Sequence, residues 1–214
     1  MPASTPPRAV IFDIGNVLLK FNYFVAAERL RLRNGLHELP DREPIVAAKA
    51  RLESGQITRA DFLQLARPAF SHEGDDESFL EIWRDIFDPN QPMIDLAAQL
   101  SRSVPCYLLS NVSCIHHEYV FQKYPFFRIF RDGAFSYRLG CLKPEPRIYQ
   151  LTLAQFGLAP EEVVLFDDMP ENVAAARAEG WQAFLYDFRR HHEFLQEIAP
   201  LGLTFETSNS TKAP

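Results

Sequence analysis

Cysteine is scarce in this chain: Cys106, Cys114 and Cys141 are the only three among 214 residues. They lack metal-binding spacing and cannot all pair, which argues against a disulfide scaffold and suits a reducing compartment. Long apolar runs are missing as well. No stretch approaches the ~18 consecutive apolar residues of a membrane-spanning helix, and the opening MPASTPPR has no apolar core of the secretory kind. The expected setting is cytoplasmic, with no membrane partner. Basic residues are outnumbered by acidic ones, 22 to 28, for a formal net charge of −6. Without a basic block to offset that charge, nucleic acid is not an expected partner. The densest basic cluster, Arg29, Arg31 and Arg33, fans around a helix and reads as a solvated face.

What is present is ordinary for a water-exposed globular chain: 47% hydrophobic and 23% charged residues. The length fits one large domain, or a core domain carrying an insertion. Four short apolar runs read as buried parallel strands: AVIF before Asp13, VPCYLL before Ser110, VVLF before Asp167 and QAFLY before Asp187. Amphipathic stretches near 114–123, 146–157, 170–180 and 189–198 read as helices. Strand alternating with helix predicts an α/β class, a doubly wound parallel sheet. Residues 20–90 contain helical patterns and no convincing strand, and Thr58 with Asp61 resembles an N-terminal capping pair. The expected division is an α/β core of 8–16 and 96–203 and a helical cap over 17–95. The polar or Pro-rich tails, 1–7 and 204–214, are expected to be disordered.

The stretch AVIFDIGNVLL ends an apolar strand on a carboxylate, Asp13. That is costly unless a charged or hydrogen-bonding group meets it, and at the C-terminal edge of a parallel sheet that group is usually a ligand. The polar residues after the other strands belong to the same edge: Ser110 with Asn111, and Asp167 with Asp168. Lys143 comes from the loop GCLKPEPRIY. Three carboxylates together repel unless a cation sits among them, and hard oxygen ligands suit Mg²⁺. A carboxylate, a divalent metal, a lysine and a hydroxyl in one cleft suit a phosphoryl group.

The segments FDIGNV, LLSN, KPEPRIY and LFDDMPEN resemble, in order, the four motifs of the haloacid dehalogenase (HAD) superfamily. The resemblance implies a Rossmann-like core with an inserted helical cap and an Mg²⁺-dependent hydrolase. In finer detail, DxGNV, SNxxxxH (Ser110 to His116), KPExRIY and FDDxxxN are similar to bacterial sugar-phosphate phosphatases of the α-glucose-1-phosphatase type. ESGQITRADF is similar to that subgroup's Glu-x-Gly-x-Ile segment, and the phosphatase domain of epoxide hydrolases looks more distantly related. The resemblance implies that Asp13 is the nucleophile and a metal ligand, and that Lys143 bridges nucleophile and phosphate. Ser110 and the Asn111 amide would face the phosphorylated substrate; His116, one turn into the following helix, faces either the cleft or solvent, and the resemblance favours the cleft. Asp168, with Asp167 beside it, and the Gly15 carbonyl would complete the metal ligands, and Asn172 would stand behind them.

One position departs from the pattern. Most phosphatases of this superfamily have a second aspartate two residues after the nucleophile, as general acid and base, and here that residue is Gly15. Losing such a group typically costs ~10²–10⁴ in rate. An anomeric phosphate leaves more readily than a primary alkyl phosphate, so the sequence predicts a bias toward glycosyl-1-phosphates. Two rival readings follow from Gly15: a metal-free 2-haloacid dehalogenase, and a catalytically retired member that binds a phospho-ligand or a partner. The paired late aspartates argue against the first, and retention of Asp13 and Lys143 argues against the second. His117, His191 and His192 are expected in solvent. Glu53 and Gly55 are expected either to shape a substrate loop or to mark a helix end.

Overall fold

The computed structural model describes residues 6–206. The first apolar run forms β1 (Ala9–Phe12), with all four residues buried. After the DIGN turn the chain makes a short β2 (Leu19–Phe21) and then four helices: α1 (Tyr23–Arg33), α2 (Arg42–Glu53), α3 (Arg59–Ala69) and α4 (Asp76–Arg84). It returns through β3 (Phe87–Pro89) and α5 (Gln91–Leu100) to β4 (Cys106–Ser110) and α6 (Cys114–Lys123). There follow β5 (Gly133–Phe135), a short α7 (Ser136–Leu139), α8 (Pro146–Phe156), β6 (Val163–Asp167), α9 (Pro170–Ala178), β7 (Gln182–Leu185) and α10 (His191–Ile198).

Five strands make a parallel sheet in the order β5-β4-β1-β6-β7. Side chains alternate across it, as the two-residue period requires. Val10 and Phe12 pack into one hydrophobic cluster, whereas Ala9 and Ile11 pack into the other. Phe12 is in register with Leu108 on one side and Phe166 on the other. Asp13 therefore emerges level with Leu109 and Asp167. The register alone gathers the polar residues at the C-terminal ends of β1, β4 and β6.

The helical pattern expected over 20–90 is present, and α3 starts on the anticipated cap. Thr58 Oγ1 accepts from the Asp61 amide, and the Asp61 carboxylate accepts from the Thr58 amide. Three features differ from expectation. The insertion is not free of strands, because β2 and β3 pair antiparallel as a ribbon at its base. At three residues each, neither carries enough alternation to show a period. The edge strand β5 was not anticipated either, for the same reason. Finally, position 95 lies inside α5, whose Met93, Leu96, Ala97 and Leu100 are buried. Both expected tails are also shorter among the described residues, for Pro7 is buried and Phe205 packs against the core. The expectations for 1–5 and 207–214 lie outside the described residues. Among the described residues, no helix is long and apolar enough to cross a membrane.

Candidate active site at the sheet edge

The strand ends open onto a cavity of about 260 Å³. Asp13, Gly15, Ser110, Asn111, His116, Lys143, Asp168 and Asn172 all line it. The site residues expected from the sequence are thus brought to one place, with Asp167 fully buried beside them. Asp13, Asp167 and Asp168 each offer a carboxylate oxygen, and these oxygens lie within 4.8 Å of one another.

Lys143 is the buried cation of the group. Its Nζ is 3.1 Å from Asp13 Oδ1 and 2.6 Å from Asp167 Oδ2, and donates to the Leu109 carbonyl at 3.1 Å. Three acceptors match its three N–H bonds. Asp167 is equally enclosed: it also accepts from Asn172 Nδ2 at 2.8 Å and from the Met169 amide at 3.0 Å. Asp167 thereby anchors Lys143, and Asn172 anchors Asp167. Asn172 is held in turn, its carbonyl accepting from the Tyr149 hydroxyl.

The electrostatics follow from burial and sign. Burial pushes the Asp13 carboxyl up to about 7; Lys143 opposes this, while Asp167 and Asp168 reinforce it. Asp168 is raised as well, first by burial, against a hydrogen bond from Asn16. Burial alone would lower Lys143, but Asp13 and Asp167 outweigh it and hold the ammonium above its ordinary range. One ammonium does not balance three carboxylates. This donor set, hard oxygens with a negative excess around open space, fits a divalent cation such as Mg²⁺.

Two contributions were not anticipated from the sequence. The Asn111 side chain clamps the Lys143 main chain, accepting from its amide at 2.8 Å and donating to its carbonyl at 2.9 Å. Asn16, in the left-handed region at φ 51°, donates to Asp168 Oδ2 at 2.9 Å. A carboxamide that tolerates that backbone region next to the Gly15 turn was the available signal. Gly15 itself has a packing reason: a Cβ there would lie 2.6 Å from Phe21 Cε1. The Phe21 ring closes the space next to the position that a second aspartate would occupy.

His116 lies in the cavity wall and is buried. Its Nε2 is 3.3 Å from the Trp83 carbonyl and its Nδ1 is 3.2 Å from Ser113 Oγ. Burial lowers its pKa to about 4, so the ring is neutral. His117 and His191 depart from the expectation of solvent. His117 packs against Phe121 and Phe135, and His191 Nδ1 sits 3.1 Å from the Tyr186 hydroxyl. Only His192 of the three is exposed. Gly55 ends α2 at φ +69°, where a side chain would also meet the Tyr137 carbonyl. Glu53, at the same helix end, lines the cavity.

Comparison with known proteins agrees with this architecture. The family of haloacid dehalogenase-like hydrolases matches residues 7–180. A HAD family enzyme from Bacteroides thetaiotaomicron superposes with a TM-score of 0.76 at 22% identity, over 85% of this chain and 94% of that one. Its complex with magnesium and inorganic phosphate gives 0.74 at 23% identity, over 84% and 93%. A HAD-like family hydrolase from Porphyromonas gingivalis gives 0.72 at 22%, over 86% and 92%. An L-2-haloacid dehalogenase from Xanthobacter autotrophicus, with chloropropionic acid covalently bound, gives 0.58 at 18%, over 83% and 76%. At these identities the solved structures speak for the fold, and the family match speaks for the lineage. The chain belongs to the haloacid dehalogenase-like hydrolases.

Proposed function

We propose that this chain is an Mg²⁺-dependent phosphatase that hydrolyses a small phosphorylated metabolite through an aspartyl-phosphate on Asp13. The observation that carries this reading is the convergence of Asp13, Asp167 and Asp168 within 4.8 Å around a single buried lysine. A haloacid offers one carboxylate and a departing halide, which give no reason to gather two further acids behind the nucleophile. A phosphate ester brings negative oxygens that need a cation, and the acids hold one.

The residues divide the work as follows. Asp13 Oδ1 accepts from the Ile14 amide at 2.7 Å and faces Lys143, and the Ser110 hydroxyl also bonds to the carboxylate; Oδ2 is the oxygen assigned to attack phosphorus. Attack forms an O–P bond, and the ester P–O bond breaks with its electron pair going to the alcohol oxygen, which takes a proton from solvent. Water then attacks the same phosphorus and gives up a proton to solvent, the Asp13 O–P bond breaks with its electron pair returning to the carboxylate, and phosphate leaves. Asp13, Asp168 and the Gly15 carbonyl would hold Mg²⁺, which supplies charge neutralisation at the phosphoryl oxygens. Ser110 and the Asn111 amide donate to those oxygens from the end of β4. Lys143 favours the ionised form of Asp13 against burial, and Asp167 and Asn172 keep Lys143 in place. In this reading the helices within 17–95 form a cap over an α/β core of 8–16 and 96–203, with α5 moving its later boundary back toward 90.

No acid stands at Gly15 to protonate the departing alcohol, so the reading favours alcohols that leave readily. Glycosyl-1-phosphates and aryl phosphates fit, in keeping with the resemblance to α-glucose-1-phosphatase. The test is phosphate release from p-nitrophenyl phosphate, glucose-1-phosphate and glucose-6-phosphate, with Mg²⁺ and with chelator, beside halide release from 2-chloropropionate. Metal-dependent release with the 1-phosphate ahead of the 6-phosphate is expected. Equal or faster turnover of the 6-phosphate would sink the leaving-group argument, and halide release without phosphate release would sink the phosphatase.

A further inference from the structure

The cavity that holds Asp13 has a second wall, made by the inserted helices, which the phosphoryl chemistry does not use. Tyr23 opens α1, and Lys49 and Glu53 come from the last turns of α2. Glu53 is 7% exposed. Its Oε2 accepts from Lys49 Nζ at 2.8 Å and its Oε1 from the Tyr23 hydroxyl at 3.2 Å. The Lys49 ammonium lies 4.6 Å from the centre of the Tyr23 ring, and the Glu53 carbonyl accepts from Ser136 Oγ at 2.6 Å. Main chain and side chain are both tied down, so this carboxylate is held in one place.

A buried carboxylate in a cavity that must admit a phosphate is an electrostatic cost. An i,i+4 lysine–glutamate pair forms equally well in solvent, so helix stability gives no reason to bury it. Each carboxylate oxygen accepts one hydrogen bond from the protein and keeps a lone pair free. What such a wall receives well is a hydroxyl hydrogen, and what it receives badly is a second anion. Lys49 tempers the repulsion without removing it.

We propose that Glu53 is a specificity-determining residue: its carboxylate accepts a hydrogen bond from a hydroxyl on the alcohol portion of the phosphate ester and excludes alcohol portions bearing their own negative charge. This rests on the phosphatase reading and narrows it to monophosphates of neutral polyols. Lys49 and Tyr23 are positioning residues, acting through the carboxylate they hold.

The experiment uses two esters that differ at one carbon, glycerol-3-phosphate and 3-phosphoglycerate. Both are primary alkyl phosphates, so their leaving oxygens are alike. Each is measured as a competitor of p-nitrophenyl phosphate hydrolysis in the presence of Mg²⁺, and the readout is the ratio of inhibition constants. The wild-type chain is expected to bind glycerol-3-phosphate at least about tenfold more tightly. Glu53→Gln should bring the ratio to within about threefold of unity. Lys49→Gln keeps the carboxylate and strips its partner, so it should widen the ratio. That opposite movement is one a merely structural role does not produce, and it stands even where Glu53→Gln fails to fold. A wild-type ratio near unity, equal weakening of both esters in Glu53→Gln, or a narrower ratio in Lys49→Gln would overturn the assignment while leaving the phosphatase intact. No hydrolysis of p-nitrophenyl phosphate by the wild-type chain would overturn both.

Discussion

At the scale of single residues, Gly15 separates two kinds of explanation. As a missing acid, it would be cured by Gly15→Asp. As a packing requirement, it would not. The Phe21 ring sits against it and is itself held between Tyr23 and Phe87, with ring centroids 5.3 and 6.0 Å away. Gly15→Asp is therefore expected to cost about 1–3 kcal/mol through overpacking and to lower turnover, checked by thermal unfolding and by kcat. A gain in rate would show that Phe21 yields. Lys143→Met makes a contrasting case. It leaves Asp13 and Asp167 buried without their partner, so the metal-free protein should lose about 3 kcal/mol or more, with phosphate release falling at least about 10²-fold. Denaturant unfolding and initial rates read the two effects separately. The residues legible in the sequence were those whose type alone is costly at a strand end: Asp13, Asp167 and Asp168. Asn16 and the Asn111 side chain were not legible in these roles, because their partners lie 152 and 32 residues away.

At the scale of elements, the inserted helices are joined to the core through Asp85, which ends α4. Its carboxylate accepts from Lys123 Nζ at 2.7 Å and from the Tyr119 hydroxyl at 2.6 Å, both on α6, and it faces Arg29 of α1 at 3.3 Å. These hydrogen bonds, chiefly from Lys123 and Tyr119, hold its pKa down to about 2. A carboxylate whose folded pKa lies below its unfolded value of ~3.9 contributes stability above that value and loses it as pH falls toward the folded one. Because the Lys123 and Asp85 side chains are 39% and 44% exposed, solvent screens the pair and the contribution is at most about 1 kcal/mol. Wild type should unfold at a higher temperature than Asp85→Asn at pH 5–6, and the gap should close between about pH 4 and 2. A gap that persists at pH 2 would mean that the contact works by shape and not charge. Helices with a clear apolar face and a cap, such as α3, were readable. The β2–β3 ribbon and β5 were not, since three residues of strand are recognisable only by the neighbour they pair with.

At the scale of the whole molecule, the α/β class followed from four apolar runs alternating with helices, whereas the strand order that puts β1 and Asp13 at the sheet centre is visible only in the structure. Of the α2 residues that face the cavity, Glu53 was a candidate from the sequence and Lys49 was not. A helix of twelve residues has several candidate faces, and packing against the core turns both into the cavity. If the three acids hold Mg²⁺ as proposed, the metal binds the folded chain and not the unfolded one, which does not gather them. Mg²⁺ at a hundred times its dissociation constant should stabilise the fold by about 2.7 kcal/mol. Scanning calorimetry should show a rise in Tm of several degrees that chelator reverses and that Asp168→Asn largely removes. An unchanged Tm would speak against a metal held by these acids.

The central claim is that Asp13 attacks phosphorus with a metal beside it. The most direct measurement is phosphate release from p-nitrophenyl phosphate by the wild-type chain and by Asp13→Asn, each with Mg²⁺ and each with chelator. Release is expected only from the wild-type chain with metal, and the buffer rate in the other three arms. Release that survives Asp13→Asn, or that chelator leaves untouched, would contradict it.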